Sequence, residues 1–375
     1  MLKVPKCSPK IGMGSVCFLN YDLGFGGTEK VIVSLANYFS SLGRKVTILT
    51  LSDRNDFAEF IKPEIEIVCL NINKIKYMPH KLIHFVISNK FDNFISNVWP
   101  LTSLSFVVRL FSPKTRLILI EHCNLSEQFQ SKSKLFKFVQ KISIFFFYKF
   151  AHLIIGVSKG VKKDLEVKGV HKDKIKVIHN PVISKPLQEI DKSNLVIKSW
   201  MTSKNKKLIA VGEFKAQKNF TNLVDAIYFA KFSLDMNLDL LILGDGDEKA
   251  DIAKKIINMG LDRNIFLAGW IDDPLPYFDL ADLFVLPSNY EGFGVVIVEA
   301  MSRGLNIVST NCKSGPSEIL LDGALGTLCE VNNHKALANA ILHGLSNPIN
   351  SDKLIKRSED FSEKKIGKLY EDILL

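Results

Sequence analysis

None of the six cysteines, at 7, 17, 69, 123, 312 and 329, forms a C-x-x-C pair, so the chain carries no zinc-ribbon or thioredoxin-like signature. Cys17 and Cys69 stand in apolar runs and read as reduced thiols, which fits a cytoplasmic protein. No uninterrupted apolar segment follows the charged, proline-containing start Met1 to Lys10, so nothing there reads as a secretory signal. The most apolar stretch, Ile142 to Val157, is broken by Lys149 and His152 and is short for a membrane span. Recognised nucleic-acid-binding motifs are absent, and so is a full internal repeat. A dinucleotide fingerprint also fails, because G-x-G-x-x-G starting at Gly24 meets Glu29 where its last glycine belongs.

What is present is the material of a globular protein. Hydrophobic residues make up 47% and charged residues 23% of 375 positions, enough for two domains with separate cores. Charge is divided unevenly. Residues 1–190 carry 28 Lys and Arg against 14 Asp and Glu, a balance of +14, whereas residues 191–375 carry 21 against 25, a balance of −4. The basic half should face something anionic, such as a membrane surface or a phosphorylated partner.

Alternation of apolar runs with helical periodicity predicts a mostly parallel sheet covered on both faces. In the first half, strands are expected at 15–20, 46–51, 65–70, 92–97, 116–121 and 152–157. The first runs into Gly24-Phe-Gly-Gly27 and a helix that stops at Gly43; the loop suits backbone approach to a phosphate or sugar, or is a βα turn without a ligand. Glu121-His122 closes the 116–121 strand, where ligands gather in open α/β sheets, although a lone histidine there also serves structure. Between Ser131 and Phe150, one helical face collects Leu135, Phe138, Val139, Ile142, Phe145 and Phe146, with Lys134, Lys137 and Lys141 on its flank. That pattern fits a membrane-surface helix or a core helix with solvated lysines.

After His179-Asn-Pro-Val182 the periodicity loosens. The expected division is a first domain over 1–185, a linker over 186–206, a second domain over 207–357 and a terminal helical segment over 358–375. Strands of the second domain are expected at 207–212, 238–243, 264–268, 282–286 and 305–309. Lys218 precedes a helix and could pair with a phosphate there. Glu291-Gly-Phe-Gly294 breaks the chain after a buried strand, and the helix from Val295 to Arg303 carries Glu299. A strand, a glycine turn and a helix N-terminus offer free N–H groups to an anion, while the two carboxylates could accept from hydroxyls beside it.

In order, these features resemble the retaining nucleotide-sugar glycosyltransferases of family 4, which have the GT-B fold. The resemblance rests on Gly26-Gly-Thr-Glu29, His122, Gly156-Val-Ser158, Asn180-Pro-Val182, Gly212 with Lys218-Asn219 and Gly244-Asp-Gly246. It continues through Glu291-Gly-Phe-Gly294, Glu299-Ala-Met and Ser314-Gly-Pro-Ser-Glu-Ile319 to Phe361-Ser. It implies two Rossmann-like domains facing a central cleft, with the acceptor on the first and the nucleotide sugar on the second. By the same resemblance Lys218 neutralises the diphosphate beside Gly212, and Glu299 binds ribose hydroxyls. Glu291, with the backbone of Phe293 and Gly294, holds the donor sugar, and Gly26, Gly27 and His122 approach from the opposite wall. The catalytic set so implied is His122, Lys218 and Glu291, with no metal, no cofactor beyond a UDP-sugar co-substrate and no protein nucleophile. Arg usually follows the glycine at 212 in this family; here Glu213 stands in its place.

The implied reaction moves a hexose or N-acetylhexosamine to a glycan or lipid-linked acceptor in surface polysaccharide synthesis, at the inner face of a membrane or free of it. Two other functions share the pattern: a catalytically impaired binding subunit, which Glu213 would explain, and a UDP-sugar 2-epimerase.

Overall fold

Near-continuous runs of Val, Ile, Leu and Phe become strands buried on both faces, as parallel sheets require. A computed structural model describes residues 14–24, 26–182, 190 and 193–374. Cys7, Phe25, residues 183–185 at the end of the expected first domain and residues 186–189 and 191–192 of the expected linker lie outside that range. The chain forms two units: Met1–Ile183 with Ser362–Leu375, and Ser184–Phe361.

The first unit runs β1 (Val16–Asn20), α1 (Gly27–Ser41), β2 (Val46–Thr50), β3 (Glu66–Cys69), α2 (Met78–Ser88) and β4 (Asn93–Asn97). Then come α3 (Leu101–Leu104), α4 (Phe106–Phe111), β5 (Arg116–Glu121), α5 (Leu125–Gln128), α6 (Lys134–Phe147), β6 (Leu153–Gly156), α7 (Lys159–Val167) and β7 (Ile175–Val177). Its sheet has the order β3-β2-β1-β4-β5-β6-β7, with parallel pairing throughout.

The second unit runs α8 (Leu195–Thr202), β8 (Lys206–Val211), α9 (Phe220–Ser233), β9 (Leu238–Leu243), α10 (Lys249–Asn258), β10 (Ile265–Gly269) and α11 (Leu275–Phe278). It continues with β11 (Leu283–Leu286), α12 (Val295–Ser302), β12 (Ile307–Thr310), α13 (Pro316–Ile319), β13 (Thr327–Cys329), α14 (His334–Ser346) and α15 (Ser351–Ser358). Its parallel sheet has the order β10-β9-β8-β11-β12-β13. In both sheets the order reverses beside the first strand, between β1 and β4 and between β8 and β11. Such reversal points open a crevice at the carboxyl ends of the strands.

Two features differ from the sequence expectation, and a third was left open by it. β7 and β13 are three-residue edge strands, too short and too exposed to leave an apolar run. Within the stretch expected as a linker, α8 buries Ile197 and Trp200, and the Trp200 indole donates to the Asp239 carbonyl at 3.2 Å. The terminal helix, α16 (Glu363–Glu371), belongs to the first unit and packs on α1. There Ser34 Oγ donates to Glu363 at 3.1 Å, and a Cβ at Gly367 would lie 2.7 Å from the Tyr38 ring.

Candidate functional site

In the second unit, β8 ends in a loop from Gly212 to Asn219, and Asn219 caps α9 by accepting from the Asn222 amide. A neighbouring loop after β9 presses against it so closely that a Cβ at Gly244 would lie 2.0 Å from the Gly212 carbonyl oxygen. Only glycine permits that approach. Gly212 also leaves room for the aliphatic stem of Lys218, whose Cε would stand 3.1 Å from a Cβ added there.

The Lys218 ammonium meets the Glu291 carboxylate at 2.7 Å, with side chains only 14% and 7% exposed. Ser288 Oγ donates to the same carboxylate oxygen at 2.7 Å, and the Gln217 amide donates to the Tyr290 carbonyl at 3.1 Å. Asn289 ties the two loops further, its amide donating to the Ala216 carbonyl at 2.7 Å and its backbone N–H to the Gln217 carbonyl at 2.8 Å. The loop after β11 is therefore clamped to the loop after β8 across the strand-order reversal.

Gly294, at φ +97°, turns this loop into α12, and Phe293 is buried with its ring 5.2 Å from that of Phe361. Glu299 stands five positions along α12 and is itself buried. Of the residues singled out in the second half, Lys218 and Glu291 are thus in direct contact, with Gly212 beneath the lysine and Phe293, Gly294 and Glu299 on the continuing turn and helix. Glu213 faces outward, paired with Lys215 at 2.6 Å and 57% exposed. Among the described residues, no three His, Cys, Asp or Glu side chains gather in a way that could hold a metal ion.

The first unit has its own polar end of the sheet. Gly26 caps α1, and Gly27 has open space where a Cβ would stand. Asn20, closing β1, donates to Glu29 at 2.9 Å. His122 follows β5 and its Nε2 lies 3.0 Å from Asn97 Oδ1 at the end of β4. Since Asn97 Nδ2 donates to the Leu19 carbonyl at 3.0 Å, its oxygen faces the histidine and Nε2 carries the proton. Burial pushes His122 down to about 3, so the ring is neutral, and its buried Nδ1 has no partner among the described residues.

Glu121 beside it is wholly buried. Thr102 Oγ1 donates to it at 2.7 Å, Tyr148 Oη donates to the same oxygen, and the Trp99 amide donates to the other at 3.3 Å. Burial raises its pKa to about 7 against the lowering effect of these bonds. Asn97, Ser288 and Gln217 were not singled out from the sequence; the signal that marks Asn97 is a polar residue at the carboxyl end of a buried strand.

A family model of group 1 glycosyl transferases matches residues 193–361, and a model of glycosyltransferase family 4 matches residues 25–184. The chain belongs to glycosyltransferase family 4. This family 4 transferase is 28% identical over 370 residues to the N-acetylgalactosamine-N,N'-diacetylbacillosaminyl-diphospho-undecaprenol 4-alpha-N-acetylgalactosaminyltransferase of Campylobacter jejuni, covering 93% of this chain and 96% of that one. It is 26% identical over 306 residues to the amylovoran biosynthesis glycosyltransferase AmsD of Erwinia amylovora, covering 79% of this chain and 80% of the relative. Anabaena Alr3699/HepE, solved in complex with UDP-glucose, superposes with a TM-score of 0.77 at 19% identity, over 96% of this chain and 98% of its own. The GT-B fold expected from the sequence is the fold found.

Proposed function

We propose that the protein is a retaining transferase that moves a hexose or N-acetylhexosamine from a UDP-sugar to a glycan or lipid-linked acceptor in surface polysaccharide synthesis. The observation that carries this reading is the Lys218–Glu291 pair at the strand-order reversal of the second unit. Its lysine is placed to take up a diphosphate, and a carboxylate stands ready for a hydroxyl-rich group next to it. Breaking the bond to a diphosphate leaves charge on the departing oxygen, which Lys218 and the N–H groups of the 291–294 turn stabilise without a metal or other cofactor. Glu299 binds the ribose, and Glu291, with the backbone of Phe293 and Gly294, binds the donor sugar. Gly26, Gly27 and His122 serve the acceptor-binding unit, where neutral His122 offers Nδ1 as a hydrogen-bond acceptor. The leaving phosphate oxygen takes the acceptor proton, so no protein nucleophile is assigned.

The named activities of the Campylobacter and Erwinia relatives support both the sugar class and a polysaccharide or diphospho-lipid acceptor. Contact with an anionic membrane belongs to the same reading, since a lipid-linked acceptor is met at a bilayer. Calorimetric titration tests the donor side. UDP and one UDP-sugar of a panel should bind the parent; Glu299→Gln should weaken UDP about tenfold through loss of a charge-assisted bond, while Glu291→Gln should leave UDP affinity near that of the parent and change sugar choice. Equal effects of the two changes on UDP would overturn the assignment.

A further inference from the structure

Helix α6 packs a mixed face on the protein, half-buried Phe136 and Phe147 among it, and turns an apolar face to water. Its buried side holds Gln140 and Ile144, with Ser143 half-buried; Gln140 accepts from Lys168 Nζ at 3.4 Å, and Ser143 accepts from the Trp99 indole at 3.0 Å. The opposite side presents Leu135, Phe138, Val139, Ile142, Phe145 and Phe146, exposed by 40% to 71%. A surface helix of a globular protein ordinarily keeps the side away from the core polar. A continuous apolar patch of this kind marks an interaction surface.

Two further observations say what covers it. Lys134, Lys137 and Lys141 line one flank of the helix, and Lys149 Nζ lies 3.9 Å from the Phe145 ring centroid, inside the apolar face. Lysine is depleted from the cores of protein–protein interfaces, and two copies paired through this face would bring its lysine rows together. A lipid surface accepts the same arrangement, with apolar side chains at the acyl boundary and lysine stems reaching back to anionic headgroups. The patch also continues onto α4, where Leu110 and Phe111 are exposed and Phe106 stacks on Phe147 at 4.4 Å between centroids. At 14 residues α6 is about 21 Å long, short of the roughly 30 Å hydrocarbon core, and among the described residues no helix is long and apolar enough to cross a membrane.

We infer that α6 lies in the plane of an anionic bilayer, its Leu and Phe face inserted at the acyl boundary and its lysine flank among the headgroups. This deepens the proposed membrane partner, and rests on that reading, by naming the docking surface and making insertion rather than charge its main contribution. The docked face is also tied to the acceptor side of its own unit. The chain leaving α6 places Tyr148 on Glu121, the residue before His122.

The test uses the full chain, sedimented with vesicles of phosphatidylcholine containing a third phosphatidylglycerol and with vesicles of phosphatidylcholine alone. A triple Leu135→Ser, Phe138→Ser and Phe146→Ser variant, altered only at exposed positions, should lose at least about tenfold in vesicle affinity at both low and high salt. A triple Lys134→Gln, Lys137→Gln and Lys141→Gln variant should weaken by at least about tenfold on anionic vesicles at low salt and match the parent on neutral ones. Sedimentation of the serine variant equal to that of the parent, or a parent that does not bind, overturns the inference. So does a parent dimer in sedimentation velocity that the serine variant abolishes without any vesicle binding, since the face then belongs to a second copy. UDP-sugar titration of the same samples separates the two readings: a parent that binds vesicles and no UDP-sugar refutes the transferase assignment and leaves the docking surface standing.

Discussion

Lys218 and Glu291 hold each other at 2.7 Å in a nearly dry place, so neither can be removed without stranding the other. Lys218→Ala should lower turnover about a hundredfold by removing a cation from the departing diphosphate, and should also destabilise the second unit by about 2 kcal/mol, because the buried Glu291 loses its cation and keeps the neutral donors Ser288 and Gln217. Adding Glu291→Gln to that variant should restore most of the stability and none of the turnover, read by denaturant midpoint and by UDP-sugar hydrolysis. The adjacent pair in the first unit makes a prediction about pH. Glu121, raised from 4.5 to about 7, contributes stability that is complete below 4.5 and lost as pH rises to about 7. His122, lowered from 6.5 to about 3, contributes stability that is complete above 6.5 and lost as pH falls toward about 3. Between 4.5 and 6.5 these slopes oppose and nearly cancel. Glu121→Gln leaves the histidine slope alone, so its stability, read from urea unfolding, should fall by roughly 1 kcal/mol per pH unit of acidification relative to the parent; a difference that stays constant across this window would remove Glu121 as the cause. At this scale the sequence marked Lys218 by its place before a helix and Glu291 and Glu299 by their places around a glycine turn, and the fold brings the first two into contact. It left Ser288, Gln217 and Asn97 unread, because a single polar residue at a strand end looks the same whether it holds a neighbour or faces water.

Elements were legible wherever burial is two-sided. β9, buried at all six positions, announces itself as an apolar run, whereas β7 and β13 are three residues long and carry no such mark. Helix α6 shows a different limit: periodicity identifies which side chains share a face and is silent on which face meets the core. Only the packed structure, with Gln140 and Ile144 inside, decides that. Turns can be tested through two glycines of similar dihedral. Gly315 has φ +96°, and a Cβ there would lie 1.9 Å from the Phe293 carbonyl oxygen; Gly323 has φ +99° and open space. Gly323→Ala should cost about 1–2 kcal/mol, the left-handed penalty alone, and spare UDP-sugar affinity. Gly315→Ala should cost clearly more and weaken that affinity, since it displaces the 293–294 backbone. Equal costs in chemical denaturation, with affinity unchanged in both, would detach this contact from the site.

The chain leaves the first unit near residue 183 and returns to it at Ser362, after the whole second unit has been built. Removal of residues 362–375 should therefore destabilise the first unit selectively: hydrogen exchange should quicken in α1 and β1, while the strands of the second unit keep their protection and UDP still binds there. Loss of protection spread evenly over both units would contradict this. The return of α16 to α1 also fixes a sequence of events during synthesis. Domains generally fold as units in the order in which they emerge from the ribosome. Here α1 lacks the contacts that Ser34 and Tyr38 make with Glu363, Gly367 and Glu371 while some 180 further residues are translated, because α16 follows the whole second unit in the chain. The unit begun first is thus completed only after the second, and a nascent chain that stalls before α16 presents this strip of α1 to whatever chaperone attends it.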